Sequence, residues 1–141
     1  MTRPLPLFVY GTLQPHAGTQ MSDWLTPRLL RSEPATMPGR LYGIQGGSGW
    51  FPALVPAWDS EVVRGTLCML RLEAGDLALL DRYEGAEYRR VVVEAQTASG
   101  GEVSAQVYLW RAALPPGAPL IPGGDFLDWL RTGRRKAFSA S

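Results

Sequence analysis

The chain is poor in redox, metal-binding and electrostatic equipment. Among its 141 residues there is one cysteine, Cys68, and one histidine, His16. A lone cysteine closes no intrachain disulfide, which excludes a disulfide-stapled secreted scaffold and points to a reducing compartment. A metal site built from histidines is not available, and a Cys-His pair would need a residue of an apolar strand to meet one of a loop. Lys136 is the only lysine, and 14 basic against 13 acidic residues leave a formal net charge of +1. So small an imbalance gives no strong field for nucleic acid or an anionic membrane surface, and neither is expected as a partner. The first residues, Met1-Thr2-Arg3-Pro4-Leu5-Pro6, lack the apolar core of a signal peptide. No uninterrupted apolar stretch approaches the ~20 residues that span a bilayer, so a cytoplasmic protein is expected.

What is present is enough apolar material for one core. With 45% hydrophobic residues the chain reads as a single domain over 1–132, followed by a basic and polar tail over 133–141. Leu5 to Tyr10 is a short strand-like run. Thr19 to Leu30 suggests a helix with Met21, Trp24 and Leu25 on one side, ended or bent by Pro27. Ala35 to Ile44 reads as one strand entered through a turn, and Gln45 to Gly49 as a flexible loop that leaves Trp50 exposed. Glu61 to Leu72 and Tyr88 to Gln96 are the clearest strands, and Thr97 to Gly101 turns the chain back into Glu102 to Trp110 as a hairpin partner. Cys68 falls inside one of these apolar strands and reads as a small buried hydrophobe, and Trp110 as a core residue. Leu114 to Gly124 is too rich in Pro and Gly for regular structure, after which Asp125 caps a short helix through Phe126, Trp129 and Leu130. Four or five strands with a few short helices predict an α+β fold built on a small mixed β-barrel.

Two places carry candidate chemistry. Asp76 to Glu84 reads as a helix closed by Gly85, and Leu77, Leu80 and Glu84 fall at i, i+3 and i+7 on one face. Glu84 is therefore expected to point inward. A carboxylate removed from water without a cation has a raised pKa and can take up and return a proton near neutral pH. The other reading is a solvated or ion-paired glutamate, with Arg82, Arg89 and Arg90 as partners. The second place is Tyr10-Gly11-Thr12-Leu13, where a strand stops in a turn. Gly11 allows a positive φ or a close approach, and the amides of Gly11, Thr12 and Leu13 can converge on a carboxylate or an oxyanion. A plain strand-ending turn is the alternative.

Phe8-Val9-Tyr10-Gly11-Thr12-Leu13, then Leu80-Asp81-Arg82-Tyr83-Glu84-Gly85 with Tyr88 and Arg90 behind it, resemble the gamma-glutamylcyclotransferase-like family in order and spacing. The likeness is greatest to its small bacterial and gamma-glutamylamine cyclotransferase branch. Phe51 to Val55 and Val62 to Leu67 are similar to the family's Pro-Ala-Leu segment and the strand after it. The resemblance implies a catalytic role for Glu84 and a substrate-binding loop at Tyr10, Gly11, Thr12 and Leu13. It implies supporting substrate-side roles for Tyr88 and Arg90. Thr12 stands where many relatives have serine, and Pro15-His16-Ala17-Gly18 departs from the family at the mouth of the site.

The implied reaction needs no metal, cofactor or enzyme nucleophile. A gamma-glutamyl amide carries its own attacking amine, which closes a five-membered lactam on the gamma-carbonyl and expels the other amine. The resemblance therefore implies release of an amine or amino acid from a small-molecule gamma-glutamyl substrate with formation of 5-oxoproline. Hydrolysis or transamidation of the same amide, or a binding domain that keeps the pocket without the chemistry, are the other functions open to these residues.

Overall fold

The computed structural model describes residues 4–57 and 61–138. Its strands are β1 (Leu5–Val9), β2 (Leu29–Pro38), β3 (Arg40–Gln45), β4 (Trp50–Val55), β5 (Val62–Leu70), β6 (Tyr88–Thr97) and β7 (Glu102–Trp110). The helices are α1 (Gln20–Leu25), α2 (Asp76–Glu84) and α3 (Phe126–Thr132). Five strands close a barrel in the order β1-β5-β2-β6-β7, and β3 and β4 form a separate two-stranded sheet. The barrel is mixed because β1 runs antiparallel to β5 and parallel to β7. This is the expected architecture. No helix among the described residues is long and apolar enough to cross a membrane.

Alternation along the strands divides the apolar residues between two layers. Phe8, Met37, Val63, Ala95 and Val107, one from each barrel strand, share one buried cluster, which is therefore the barrel interior. Phe126, Trp129 and Leu130 of α3 enter the same cluster. Leu7, Val9, Cys68 and Leu70 face the other way and are covered by Leu25 of α1 and Leu80 of α2. The Cys68 side chain is fully buried there, and burial pushes its thiol pKa up to about 12, in keeping with a packing role. Thr19 caps α1 with a reciprocal capping box to Ser22, and Asp125 caps α3 by accepting from the Asp128 amide at 3.0 Å.

The helix expected from Thr19 ends, as Pro27 requires, at Leu25; a short 3-10 turn spans Thr26–Arg28 and β2 begins at Leu29. Three expectations are corrected. The single strand over Ala35 to Ile44 is two strands in different sheets, broken at Gly39. A Cβ there would stand 2.8 Å from Leu54 Cδ1 and 3.3 Å from the Val55 carbonyl oxygen, so the chain passes close to β4 at this point. Trp50 is a strand residue rather than an exposed loop residue, and its indole packs edge-on against Trp129 with ring centres 5.1 Å apart. Gly133 to Phe138 is not a free tail. The Trp50 amide donates to the Lys136 carbonyl at 2.8 Å, the Phe138 amide donates to the Trp50 carbonyl at 2.7 Å, and the Arg135 guanidinium lies 3.9 Å over the Trp129 ring. Residues 139–141 and Trp58 lie outside the described residues.

Candidate active site

One cavity of about 250 Å³ opens where the end of β1, the start of β4, the end of α2, the start of β6 and the end of β7 meet. Its polar side comes from the turn after β1 and from the last residue of α2. Tyr10, Gly11, Thr12, Leu13, Glu84 and Tyr88 all line it, so six of the seven residues singled out in the sequence come together. They come from three separate elements of the fold.

The turn is built by tight local bonding. The Gln14 amide donates to the Gly11 carbonyl at 3.2 Å, and the Thr19 hydroxyl donates to the Thr12 carbonyl at 2.5 Å. The Thr12 hydroxyl also shares a hydrogen bond of 3.2 Å with the Tyr83 hydroxyl of α2. The amides of Gly11, Thr12 and Leu13 have no hydrogen-bond partner among the described residues. Backbone donors left open beside a cavity suit a carboxylate or a developing oxyanion. Gly11 is needed here for close approach and not for a positive φ: a Cβ on it would stand 2.8 Å from Cγ of Pro52.

Glu84 is reached through α2. Leu80 is fully buried and anchors the helix, and Gly85, at φ 93°, ends it with its amide bonded to the Asp81 carbonyl at 3.1 Å. Glu84 therefore faces the cavity with Tyr83 and Tyr88 as neighbours. Its carboxylate has no ion pair or hydrogen bond among the described residues, so the reading in which an arginine pairs with it does not hold. Loss of water raises the Glu84 pKa to about 8, and the negative charge of Asp81 adds to the rise. The residue keeps part of its solvent contact through the cavity mouth, yet its carboxyl is ringed by phenols and apolar side chains.

Arg90, expected on the substrate side, does not line the cavity. Its guanidinium grips Asp81 in a two-pronged pair, Nε to Oδ1 at 2.9 Å and Nη2 to Oδ2 at 3.2 Å, and also donates to the Gln106 side chain. Tyr108 donates its hydroxyl to the same Asp81 at 2.7 Å. The Arg90 pair, with help from the Tyr108 hydroxyl, holds the Asp81 carboxyl below the usual carboxylate range. Tyr10 in turn donates to the Tyr108 carbonyl, which ties the turn after β1 to this network. Tyr88 donates to the Pro52 carbonyl at 2.5 Å and so fixes one wall. Tyr83, Glu87, Tyr108 and Phe138 also line the site and were not singled out in the sequence. The helical phase could have suggested Tyr83 beside Glu84, whereas nothing local marks Phe138.

Comparison with known proteins bears on the family and the fold. A family model described as gamma-glutamyl cyclotransferase, AIG2-like, matches residues 7–129. No functionally curated protein has significant sequence similarity to the chain. Among solved structures, YkqA of Bacillus subtilis superposes with a TM-score of 0.70 at 22% identity, over 93% of this chain and 42% of its own length. The chain thus spans less than half of that protein. A protein of Arabidopsis thaliana gives a TM-score of 0.66 at 24% identity, covering 94% of this chain and 85% of its own. An AIG2-like protein of Mus musculus gives 0.65 at 19% identity, covering 89% and 95% respectively. Likeness at these identities concerns the fold.

Proposed function

The chain belongs to the gamma-glutamyl cyclotransferase, AIG2-like family, and from that premise we propose that it is a cyclotransferase that releases an amine or amino acid from a gamma-glutamyl amide and forms 5-oxoproline. The observation that carries this reading is a desolvated, unpaired carboxylate, Glu84, in one cavity with three open backbone amides. Glu84 acts first as base and then as acid. It takes a proton from the substrate's alpha-ammonium, which frees the amine to attack the gamma-carbonyl. Negative charge gathers on the carbonyl oxygen and is met by the amides of the Gly11 to Leu13 turn. As the ring closes the attacking nitrogen gives up a second proton, and the two protons it has lost pass by way of the carboxyl to the departing nitrogen. One C–N bond forms, one breaks, the lactam is neutral, and the released amine leaves as its ammonium.

A pKa of about 8 suits a group that must do both. Near neutral pH such a group passes between its ionised form, a base, and its protonated form, an acid. The walls contribute by holding the flexible glutamyl chain in its ring-closing shape, which removes rotational entropy ahead of the reaction. Asp81 and Arg90 support the site from behind, and Tyr108 from its wall, by fixing the helix end and setting the charge beside Glu84.

The test is to incubate the purified protein, and its Glu84→Gln variant, with a panel of gamma-glutamyl amino acids and amines, and to follow products by mass spectrometry. The expected result is 5-oxoproline together with the free amine, falling by ~10²-fold or more in the variant. Free glutamate in place of the lactam would replace cyclisation by hydrolysis. A folded protein that binds members of the panel and turns none over would be a binding domain.

A further inference from the structure

The cavity has two unlike walls. The polar wall, with the Gly11 to Leu13 amides and Glu84, accounts for the glutamyl part of the substrate under the function proposed above. Phe51 and Phe138 line the cavity as well, and Pro52, next to Phe51, touches the turn, its Cγ 2.8 Å from where a Cβ on Gly11 would stand. Phe138 stands edge-to-face on Phe51 with ring centres 5.6 Å apart, and Phe51 in turn lies 6.0 Å from Trp110. Together they make a small apolar box in which Phe138 is 36% exposed.

The sequence around Phe138 is arranged to keep it there. Its backbone is pinned on both sides of Trp50 by the two hydrogen bonds of 2.8 and 2.7 Å described above. The loop between β3 and β4 makes room for the segment through glycines. A Cβ on Gly46 would stand 2.6 and 2.8 Å from atoms of the Phe138 ring, and one on Gly49 would stand 2.5 Å from the Lys136 carbonyl oxygen. A ring seated on a bare glycine, set edge-to-face on a second ring and lining the cavity is placed to touch whatever leaves the gamma-carbonyl.

We infer that Phe138, with Phe51 and Pro52, forms the amine-side subsite, and that this subsite takes gamma-glutamyl amides of amines with an apolar aromatic body. The inference rests on the cyclotransferase reading for the reaction and on the box itself for the preference. Aromatic rings are attracted to other aromatic edges and faces beyond the gain from burial alone. An arylalkylamine substituent therefore gains from the box, whereas a methylamine substituent is too short to reach it.

The experiment compares gamma-glutamyl-phenethylamide with gamma-glutamyl-methylamide as substrates and reads the ratio of their kcat/KM values from 5-oxoproline formation. In the unaltered protein the ratio should favour the phenethylamide by about tenfold, the factor expected for one aromatic contact with burial of a ring face. Phe138→Ala should abolish that advantage through KM. Gly46→Ala should do the same, because its new methyl group pushes the ring off its seat, and it should have no further effect once Phe138 is already alanine. Calorimetric binding of the phenethylamide is measured in parallel.

Lactam formation from both amides, with a ratio that neither variant changes, overturns the subsite and leaves the cyclotransferase reading standing. If no lactam forms but phenethylamide binding is present and lost in Phe138→Ala, the reaction is wrong and the subsite is right. Absence of both lactam and binding removes both.

Discussion

Replacing Glu84 by glutamine should make the protein more stable in mildly basic solution while removing its activity. Glu84 has a pKa of about 8 in the folded chain against a reference of 4.5, so the folded state binds its proton more tightly than the unfolded state. The sign follows from linkage: between those two values the folded protein carries more protons, and stability falls as the pH rises. Below about pH 4.5 both states are protonated and the residue contributes no pH-dependent term. Above about pH 8 both are ionised, and the full cost of a desolvated carboxylate weighs on the fold.

The shift, converted at 1.36 kcal/mol per unit, gives a ceiling of ~5 kcal/mol. The cavity is open to water at its mouth, which screens the charge, and a realistic penalty is ~1–3 kcal/mol. Glutamine mimics the protonated side chain in shape and charge. The gain from Glu84→Gln should therefore be near zero at pH 4.5 and reach ~1–3 kcal/mol at pH 8.5, or ~3–10 °C in Tm for a domain of this size. Thermal and urea unfolding of both proteins at the two pH values measures it. A stability difference that is the same at both pH values would refute the claim that Glu84 is desolvated and unpaired.

Two more outcomes follow from the groups around the site. Asp81→Asn removes a negative charge one helical turn before Glu84 and should move the acidic limb of the kcat/KM profile to lower pH, whereas Arg90→Gln leaves Asp81 less neutralised and should move it higher; shifts of the same sign in the two variants would remove this network from the tuning of Glu84. Gly11→Ala would press a methyl group to 2.8 Å from Pro52 and should cost ~1–3 kcal/mol of stability and raise KM several-fold, read by denaturant unfolding and steady-state kinetics, and an unchanged KM would argue against the turn as substrate cradle.

The Asp81 network also shows why a plausible reading of one residue can miss its role. Arg90 follows Glu84 closely in sequence and looks like a candidate for substrate or for Glu84 itself. In the fold, α2 ends and β6 begins so that Arg90 reaches back nine residues to Asp81, and Tyr108 reaches the same carboxylate across 27 residues from the neighbouring strand. The result is one satisfied carboxylate and one left bare, three residues apart on the same helix. Which glutamate or aspartate is neutralised depends on strand pairing, and that is not written in the helix.

Sequence alone determined the features that depend on short-range periodicity and stereochemistry. The helix Asp76–Glu84 with Glu84 on its buried side, the hairpin of β6 and β7, the cap at Asp125 and the turn at Gly11 all follow from residues within a few positions of one another. A small barrel was legible too, from the number of strands. The tertiary structure decided what sequence-local forces leave open. β2 begins at Leu29, although Leu29 to Pro34 shows no clean alternation, because β5 offers it an antiparallel ladder that continues through an irregularity between Leu29 and Arg31. Trp50, expected to be exposed, is held by Trp129, and Phe138, expected in a loose tail, is seated on Gly46 at the rim of the site. Each of these contacts joins residues far apart in the chain, and its energy exists only once barrel closure has brought the two surfaces together.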